Sequence, residues 1–415
     1  MLSVHFFNAK PGMKIALLGS RGIPARYSGF ETFYEQLGVR LAQRGHQVTV
    51  YNRRHFLPDV RGSYRGVRII STGGIATKHL DTITHTLLAS LHAVGERYDI
   101  AYYCIVGNAP LVWLPRLVGS RTLLNVDGED WAREKWSCFA RWYQRRCERL
   151  AGRLAHVLIA DARVVQERYA REYGMPSIFV PYGALIRKTP EMDALRKWGL
   201  TPNDYILYVG RLVPENAVDL LLRAYRKVRT SKKLVIVGSA TYEEHYSRRL
   251  RELADARVVF TGWAFGQDYA QLSSHAYLYV QPSAVNGTRP ALLDQLGFGN
   301  CVLVRATPAN LEVIGDCGES FSNTAPEESL RASLEKLLAN PDRVEHYRKK
   351  AASRIANFYN WEWICDFYEE LFQRLVNRQP PRNYDEFLAA TGRGEAALPV
   401  PPATSPNQEA GAPPQ

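Results

Sequence analysis

The sequence predicts an α/β protein built from two doubly wound parallel-sheet domains that face a cleft. Three observations carry this prediction. Short apolar strands alternate with amphipathic helices along most of the 415 residues, the pattern of parallel sheets covered on both faces. A chain of this length exceeds one typical core, and about 150 residues per domain makes two domains the default. Each half also carries an apolar strand running into a glycine-bearing turn before a helix: GSRGIPARYSGFE at Gly19–Glu31, and VQPSAVNGTRPALLDQLGFGN at Val280–Asn300.

In the first half, strands are expected at Lys14–Gly19, Gln47–Asn52, Val67–Ser71, Tyr98–Ile105, Arg121–Val126, His156–Ala160 and Ser177–Pro181. A helix over Thr32–Arg44 stops at Gly45, a favourable C-terminal residue. The pattern softens in a charged connector, LIRKTPEMDALRKWGLTPND. It restarts with strands at Tyr205–Gly210, Lys233–Gly238, Arg257–Thr261, Tyr277–Gln281 and Cys301–Arg305. Trp361, Ile364, Tyr368, Leu371 and Leu375 recur at helical spacing. The expected organisation is an N-terminal extension at 1–12, a first domain at 13–185 and a linker at 186–204. A second domain follows at 205–358, then a helix at 359–377 crossing back to the first domain. The tail at 378–415, rich in Pro, Ala, Gly and polar residues, is expected to be disordered because it cannot bury enough apolar surface.

Composition narrows the function classes. Hydrophobic content of 46% with 23% charged residues is ordinary for a soluble globular chain. The longest apolar runs, IALLG and YILYVG, fall far short of the about 20 residues a membrane span needs. The N-terminal MLSVHFFNAKPG lacks the layout of a signal peptide. Six scattered cysteines, without a C-x-x-C pair, favour a reduced cytoplasmic setting over a disulfide framework or zinc site. The net charge of +12 suits nucleic acid, an anionic membrane face or acidic small molecules. No basic-aromatic module supports the first of these, so nucleic-acid binding ranks last.

In open α/β sheets, ligands sit beyond the carboxyl ends of the strands. Pro290 suits the first helical position, and the amides around Gly287 and Thr288 precede it without intrahelical partners. Such a helix start attracts phosphate. Arg211, just past a strand in GRLVPEN, is placed to grip two phosphate oxygens. It is equally placed to pair with Glu215 or to cap a helix. Asp127 in NVDGEDWAREKW is either a catalytic carboxylate, a sugar-hydroxyl acceptor, or simply the turn former that aspartate before glycine commonly is. Neither G-x-G-x-x-G nor a Walker A motif follows a strand, and Asp, Glu and His show no metal-ligand spacing. No metal and no bound cofactor are expected.

In their order, GSRGIPARYSGFE, DGEDWAREKW, ADARVVQERYAREYGMPSIFVPYGA, GRLVPEN and NGTRPALLDQLGFGN with ANLEVIGDCGE resemble glycosyltransferase family 4. The resemblance runs from about Met13 to Asn377 and is closest to the bacterial rhamnosyltransferase-like subgroup of surface-polysaccharide synthesis. It implies the GT-B fold, with two Rossmann-like domains, and metal-independent transfer that retains anomeric configuration. The donor is a nucleoside-diphosphate sugar, with dTDP-rhamnose favoured and UDP- or GDP-sugars left open. The acceptor is a saccharide, expected on a lipid carrier at the cytoplasmic membrane face. Similarity puts Arg211 on the donor diphosphate, helped by Gly287 and Thr288. It puts Asp294 at a ribose-binding glutamate, Asn286 at a donor-sugar glutamate, and Asp127 at the active-site histidine. Arg26, Tyr27, Gly29, Glu31 and Trp131 fall in the loops facing diphosphate and acceptor. Asn216 stands where many members carry a lysine, removing one cation from the site, and Arg289 stands where the subgroup usually has asparagine. The alternative is a drifted homologue that keeps the two-domain shell as a binding or scaffold protein.

One further stretch carries charge. Between Arg133 and Leu154 a helix is expected with an apolar stripe at Trp136, Ala140, Tyr143, Cys147, Leu150 and Leu154. A basic stripe follows at Arg141, Arg145, Arg149 and Arg153. It either rests on anionic lipid or is a solvated surface helix.

Overall fold

The computed structural model describes residues 12–26, 29–77, 80–126, 137–239 and 244–393. Tyr27, Asp127 and Trp131 lie outside the described residues, as do residues 1–11 of the extension, residues 133–136 of the arginine-rich helix, and residues 394–415 of the tail.

The first domain runs β1 (Lys14–Leu18), α1 (Gly29–Gln43), β2 (Gln47–Arg53), β3 (Gly62–Tyr64), β4 (Val67–Thr72), α2 (Asp81–Glu96) and β5 (Ile100–Tyr103). Two 3-10 turns, Val106–Leu111 and Leu114–Val118, lead to β6 (Arg121–Val126), α3 (Cys138–Leu154), β7 (Val157–Ala160), α4 (Arg163–Tyr173) and β8 (Ile178–Phe179). These strands form one sheet in the order β3-β4-β2-β1-β5-β6-β7-β8, parallel except for the edge strand β3. Its central strands are apolar and buried on both sides, as a sheet covered by helices on each face requires.

α5 (Asp193–Lys197) belongs to the connector. The second domain follows with β9 (Tyr205–Val209), α6 (Val218–Lys227), β10 (Lys233–Val237), α7 (Glu244–Leu253), β11 (Val258–Gly262), α8 (Gly266–Ser274) and β12 (Leu278–Gln281). It continues with α9 (Pro290–Gly297), β13 (Val302–Arg305), α10 (Pro308–Ile314), β14 (Glu319–Phe321), α11 (Pro326–Leu338) and α12 (Pro341–Phe358). Its sheet is parallel throughout, in the order β11-β10-β9-β12-β13-β14.

The chain then returns to the first domain. α13 (Trp361–Val376) lays Trp361 and Tyr368 against Phe33 of α1, with ring centroids 6.0 and 5.6 Å away. The Tyr368 hydroxyl is 3.0 Å from that of Tyr102 on β5. Arg40 on α1 and Arg44 just past its end pair with Glu362, Asp366 and Glu369 on α13.

Two sequence expectations need correction. Order does not end at Asn377: α14 (Tyr384–Ala390) buries Tyr384, Phe387 and Leu388, and its capping box joins Asn383 to Glu386. A compositional reading of the whole tail averages these apolar residues away. α3 also buries a different stripe, Gln144, Cys147, Glu148 and Ala151, leaving Leu150 exposed. The reason is a buried ion pair: Glu148 takes Arg168 of α4 at 2.7 Å and the Tyr173 hydroxyl at 2.6 Å, so a charged residue faces inward.

Candidate donor-binding site

Strand order reverses at β1, between β2 and β5, and at β9, between β10 and β12. Loops leaving such neighbours diverge and open a crevice beyond the carboxyl ends of the strands. The Gly19–Glu31 turn leaves β1, and the loops ending in Asn216 and Arg289 leave β9 and β12. Both glycine turns therefore sit at switch points. They also meet: a Cβ on Gly29 would stand 2.5 Å from Pro290 Cγ.

On the second domain, the first three strand ends are locked through glycine backbone. The Gly210 N–H donates to the Val237 carbonyl at 3.0 Å, and the Gly238 N–H donates to the Gly262 carbonyl at 2.8 Å. At Gly238, φ is +143° and a Cβ would collide with the Gly210 carbonyl, so only glycine fits. Arg211 follows on this base, half-buried. Its carbonyl accepts from Asn216 Nδ2 at 2.8 Å and from the Tyr208 hydroxyl at 3.3 Å. Asn216 thus spends its amide on holding the arginine turn.

Arg289 belongs to the same place. Its Nη2 donates to Ser283 Oγ at 2.9 Å, and that hydroxyl donates to the Glu215 carbonyl at 2.8 Å. Burial pushes the Tyr208 hydroxyl up, while Arg289 and then Arg211 oppose the rise. Two guanidiniums acting on one buried phenol concentrate positive potential at the end of β9.

Asn286 and Asp294, expected on the donor side, follow the same strand as Arg289. Asn286 Oδ1 is buried without a hydrogen-bond partner among the described residues. Leaving such an acceptor unsatisfied costs about 1–3 kcal/mol. Asp294 accepts from the Tyr269 hydroxyl at 3.2 Å and lies 3.6 Å from Arg187. Burial raises its carboxyl above the usual range, with Arg187 and the Tyr269 bond opposing. Trp263 and Phe265, just past β11, stack 5.9 Å apart at 21° and remain exposed.

On the first domain, Glu31 is buried in the opening turn of α1 and Arg26 is exposed. The turn between them and β1 is fastened by two residues that sequence reasoning missed. Arg53 donates to the carbonyls of Gly19 and Ser20 at 3.2 and 3.3 Å and pairs with Asp81 at 2.7 Å. Asn52 exchanges hydrogen bonds of 3.0 and 2.7 Å with the Ile23 backbone. The signal was two polar residues closing an apolar strand, QVTVYNR.

Thr288 departs from the expected open amide. Its N–H donates to Asp161 Oδ2 at 3.2 Å and its hydroxyl to the Asp161 carbonyl at 2.6 Å. Asp161 follows β7 in the first domain, so this is a contact between domains. Among the described residues, no group of three His, Cys, Asp or Glu side chains could hold a metal ion.

Residues 28–183 match the family described as glycosyl transferase 4-like domain, and residues 203–340 match glycosyl transferases group 1. The chain is a family 4-type glycosyltransferase. Over 386 residues, 84% of this chain and 94% of the relative, the glycosyltransferase is 25% identical to a Mycolicibacterium smegmatis protein. That protein is a GDP-mannose-dependent α-(1-6)-phosphatidylinositol monomannoside mannosyltransferase. Its fold is GT-B, as in sucrose-phosphate synthase from Thermosynechococcus elongatus, with a TM-score of 0.75 at 19% identity, covering 88% and 100% of the two chains. HepE from Anabaena in complex with UDP-glucose superposes with a TM-score of 0.71 at 16% identity, covering 86% and 98%.

Proposed function

We propose that this glycosyltransferase moves a sugar, rhamnose favoured, from a nucleoside-diphosphate donor to a lipid-linked saccharide in surface-polysaccharide synthesis. The transfer retains anomeric configuration and uses no metal. The observation that carries the reading is geometric: Arg211 and Arg289 follow the neighbouring strands β9 and β12 at the switch point, and the Arg289 guanidinium is tied through Ser283 to the Glu215 carbonyl of the Arg211 loop. When the bond between the anomeric carbon and the diphosphate breaks, negative charge builds on the departing oxygens. Preorganised cations and amides aimed at that charge are the main expected source of catalysis. Asn216 replaces a lysine, and Arg289 restores the missing charge from the neighbouring loop.

The other residues supply recognition. The unsatisfied Asn286 Oδ1 suits a donor-sugar hydroxyl, and Asp294 suits a ribose hydroxyl. The exposed Trp263–Phe265 stack offers a face to a nucleobase. The family resemblance assigns Asp127, Trp131, Tyr27, Arg26, Gly29 and Glu31 to the acceptor side, with Asp127 orienting a hydroxyl while the departing phosphate takes its proton. Donors named for the relatives differ, GDP-mannose for one and UDP-glucose for another; dTDP-rhamnose is favoured here by the subgroup resemblance. The lipid carrier agrees with the lipid acceptor named for the mycobacterial relative and with the arginines of α3, which would meet anionic headgroups at the cytoplasmic face. No helix among the described residues is long and apolar enough to cross a membrane.

Arg211→Ala tests this. With one charge-stabilising donor gone, turnover is expected to fall a few hundredfold, about 3–4 kcal/mol, with melting unchanged. Donor turnover at the wild-type rate in the purified variant would overturn the assignment.

A further inference from the structure

The residues 161–163 form a two-way junction between the domains. Asp161, buried at the end of β7, receives the N–H and hydroxyl of Thr288 from the donor loop of the second domain. Two residues on, the Arg163 N–H at the start of α4 donates to Glu312 Oε2 of α10 in the second domain, at 3.0 Å. Each domain thus offers backbone amides to a carboxylate of the other. The Thr288 contact differs in kind, because its amide lies in the loop leading into α9, next to Arg289. A free amide there is where a diphosphate would be received.

From this geometry we infer that Asp161 is a positioning residue that holds the donor loop in the donor-free enzyme and gives up the Thr288 amide when a nucleoside diphosphate arrives. The inference rests on the donor-site reading above. A carboxylate and a phosphate cannot share one amide without repelling each other, so the two states exclude one another. Donor binding then releases one of the ties between the domains at the same moment that it occupies the cleft. Asp161 thereby couples donor arrival to movement of the acceptor-side domain against the donor loop.

The test is calorimetric titration of the full chain with UDP, GDP and dTDP, for wild type, Asp161→Asn and Asp161→Ala. Removing the competing charge should tighten nucleoside-diphosphate binding at least threefold in both variants. A residue that only supports the fold would weaken binding together with melting temperature. Hydrogen exchange on the wild type gives a readout that needs no variant. Nucleotide should slow exchange across 284–292 while speeding it across 160–165. Equal or weaker binding by folded Asp161→Asn, or slowed exchange in both segments, overturns the inference while leaving the donor site standing. A wild type that binds none of the three nucleotides overturns the donor-site reading and this inference with it.

Discussion

Ala162 stands at the N-cap of α4, where a serine or aspartate side chain would ordinarily accept the first free amides, and its methyl group cannot. Glu312 performs that task from the other domain, its carboxylate also lying 3.9 Å from the Arg163 guanidinium. Burial lifts the Glu312 carboxyl to about 7, against the opposing pull of the Arg163 amide, the Arg163 and Arg354 guanidiniums, and with a small push from Glu167. A carboxyl raised above its ordinary value favours folding when protonated. That stabilisation is complete below about pH 4.5 and is lost as pH climbs through about 7, a change on the order of 3 kcal/mol at most. Glu312→Gln should therefore melt with wild type at pH 5 and above it at pH 8, as followed by calorimetry; parallel curves at both values would remove the assignment. Arg211, Arg289 and Gly287 were legible because strand, glycine and helix start follow one another locally in the sequence. Asp161 and Glu312 were not, because each acts on backbone from the opposite domain and no spacing in the chain reports such a partner.

At the level of elements, alternation of apolar strands revealed twelve of the strands, since buried parallel strands read as continuous apolar runs whatever surrounds them. β3 and β14 escaped, each three residues long and lying at a sheet edge, where no continuous apolar run is demanded. α14 escaped for a different reason. Its cue, Asn383 three residues before Glu386, is a readable capping signal, but it lies in a tail dominated by proline and alanine. The helix sets Tyr384 and Phe387 against Phe367 of α13, with centroids 5.2 and 5.5 Å away, and Asp385 takes Arg163 through two bonds of 2.8 and 2.9 Å. α14 is thus part of the packing that joins α13 to the start of α4. Ending the chain after Asn377 should lower stability by about 3–6 kcal/mol, at roughly 1.5–3 kcal/mol each for the buried Phe387 and Leu388. Denaturant titration against a chain ended after Arg393 measures this, and equal midpoints would show that α14 contributes nothing.

Across the whole molecule, the exposed apolar residues are unevenly spread. α2, the two 3-10 turns and α3 cover the same face of the first sheet, where Ala89, Ala93, Val106, Ala109, Cys147 and Ala151 share one core with Leu124 and Leu158. The outer side of this layer carries Leu87, Leu88, Leu91, Trp113, Leu117, Phe139 and Trp142, all exposed. Phe139 and Trp142 stack 5.7 Å apart, with the Arg146 guanidinium 5.4 Å from the Trp142 ring. Arg141, Arg145, Arg149 and Arg153 stand exposed on the same helix, and the sole acid of α3, Glu148, is buried against Arg168. Apolar side chains set among exposed guanidiniums match an anionic lipid surface, which receives both. α3 leaves the carboxyl end of β6, the edge facing the cleft, so a membrane under this layer would bring a lipid-linked acceptor toward the donor loops. Wild type should pellet with vesicles containing anionic lipid and stay in solution with zwitterionic ones. Reversing Arg141, Arg145 and Arg149 to glutamate should cost at least about 3 kcal/mol of binding, at about 1 kcal/mol per cation removed, and abolish pelleting. Replacing Phe139 and Trp142 by serine should weaken binding without changing its dependence on salt. If the triple reversal pellets as wild type does, the arginine face is a solvated surface and the acceptor reaches the cleft by another route.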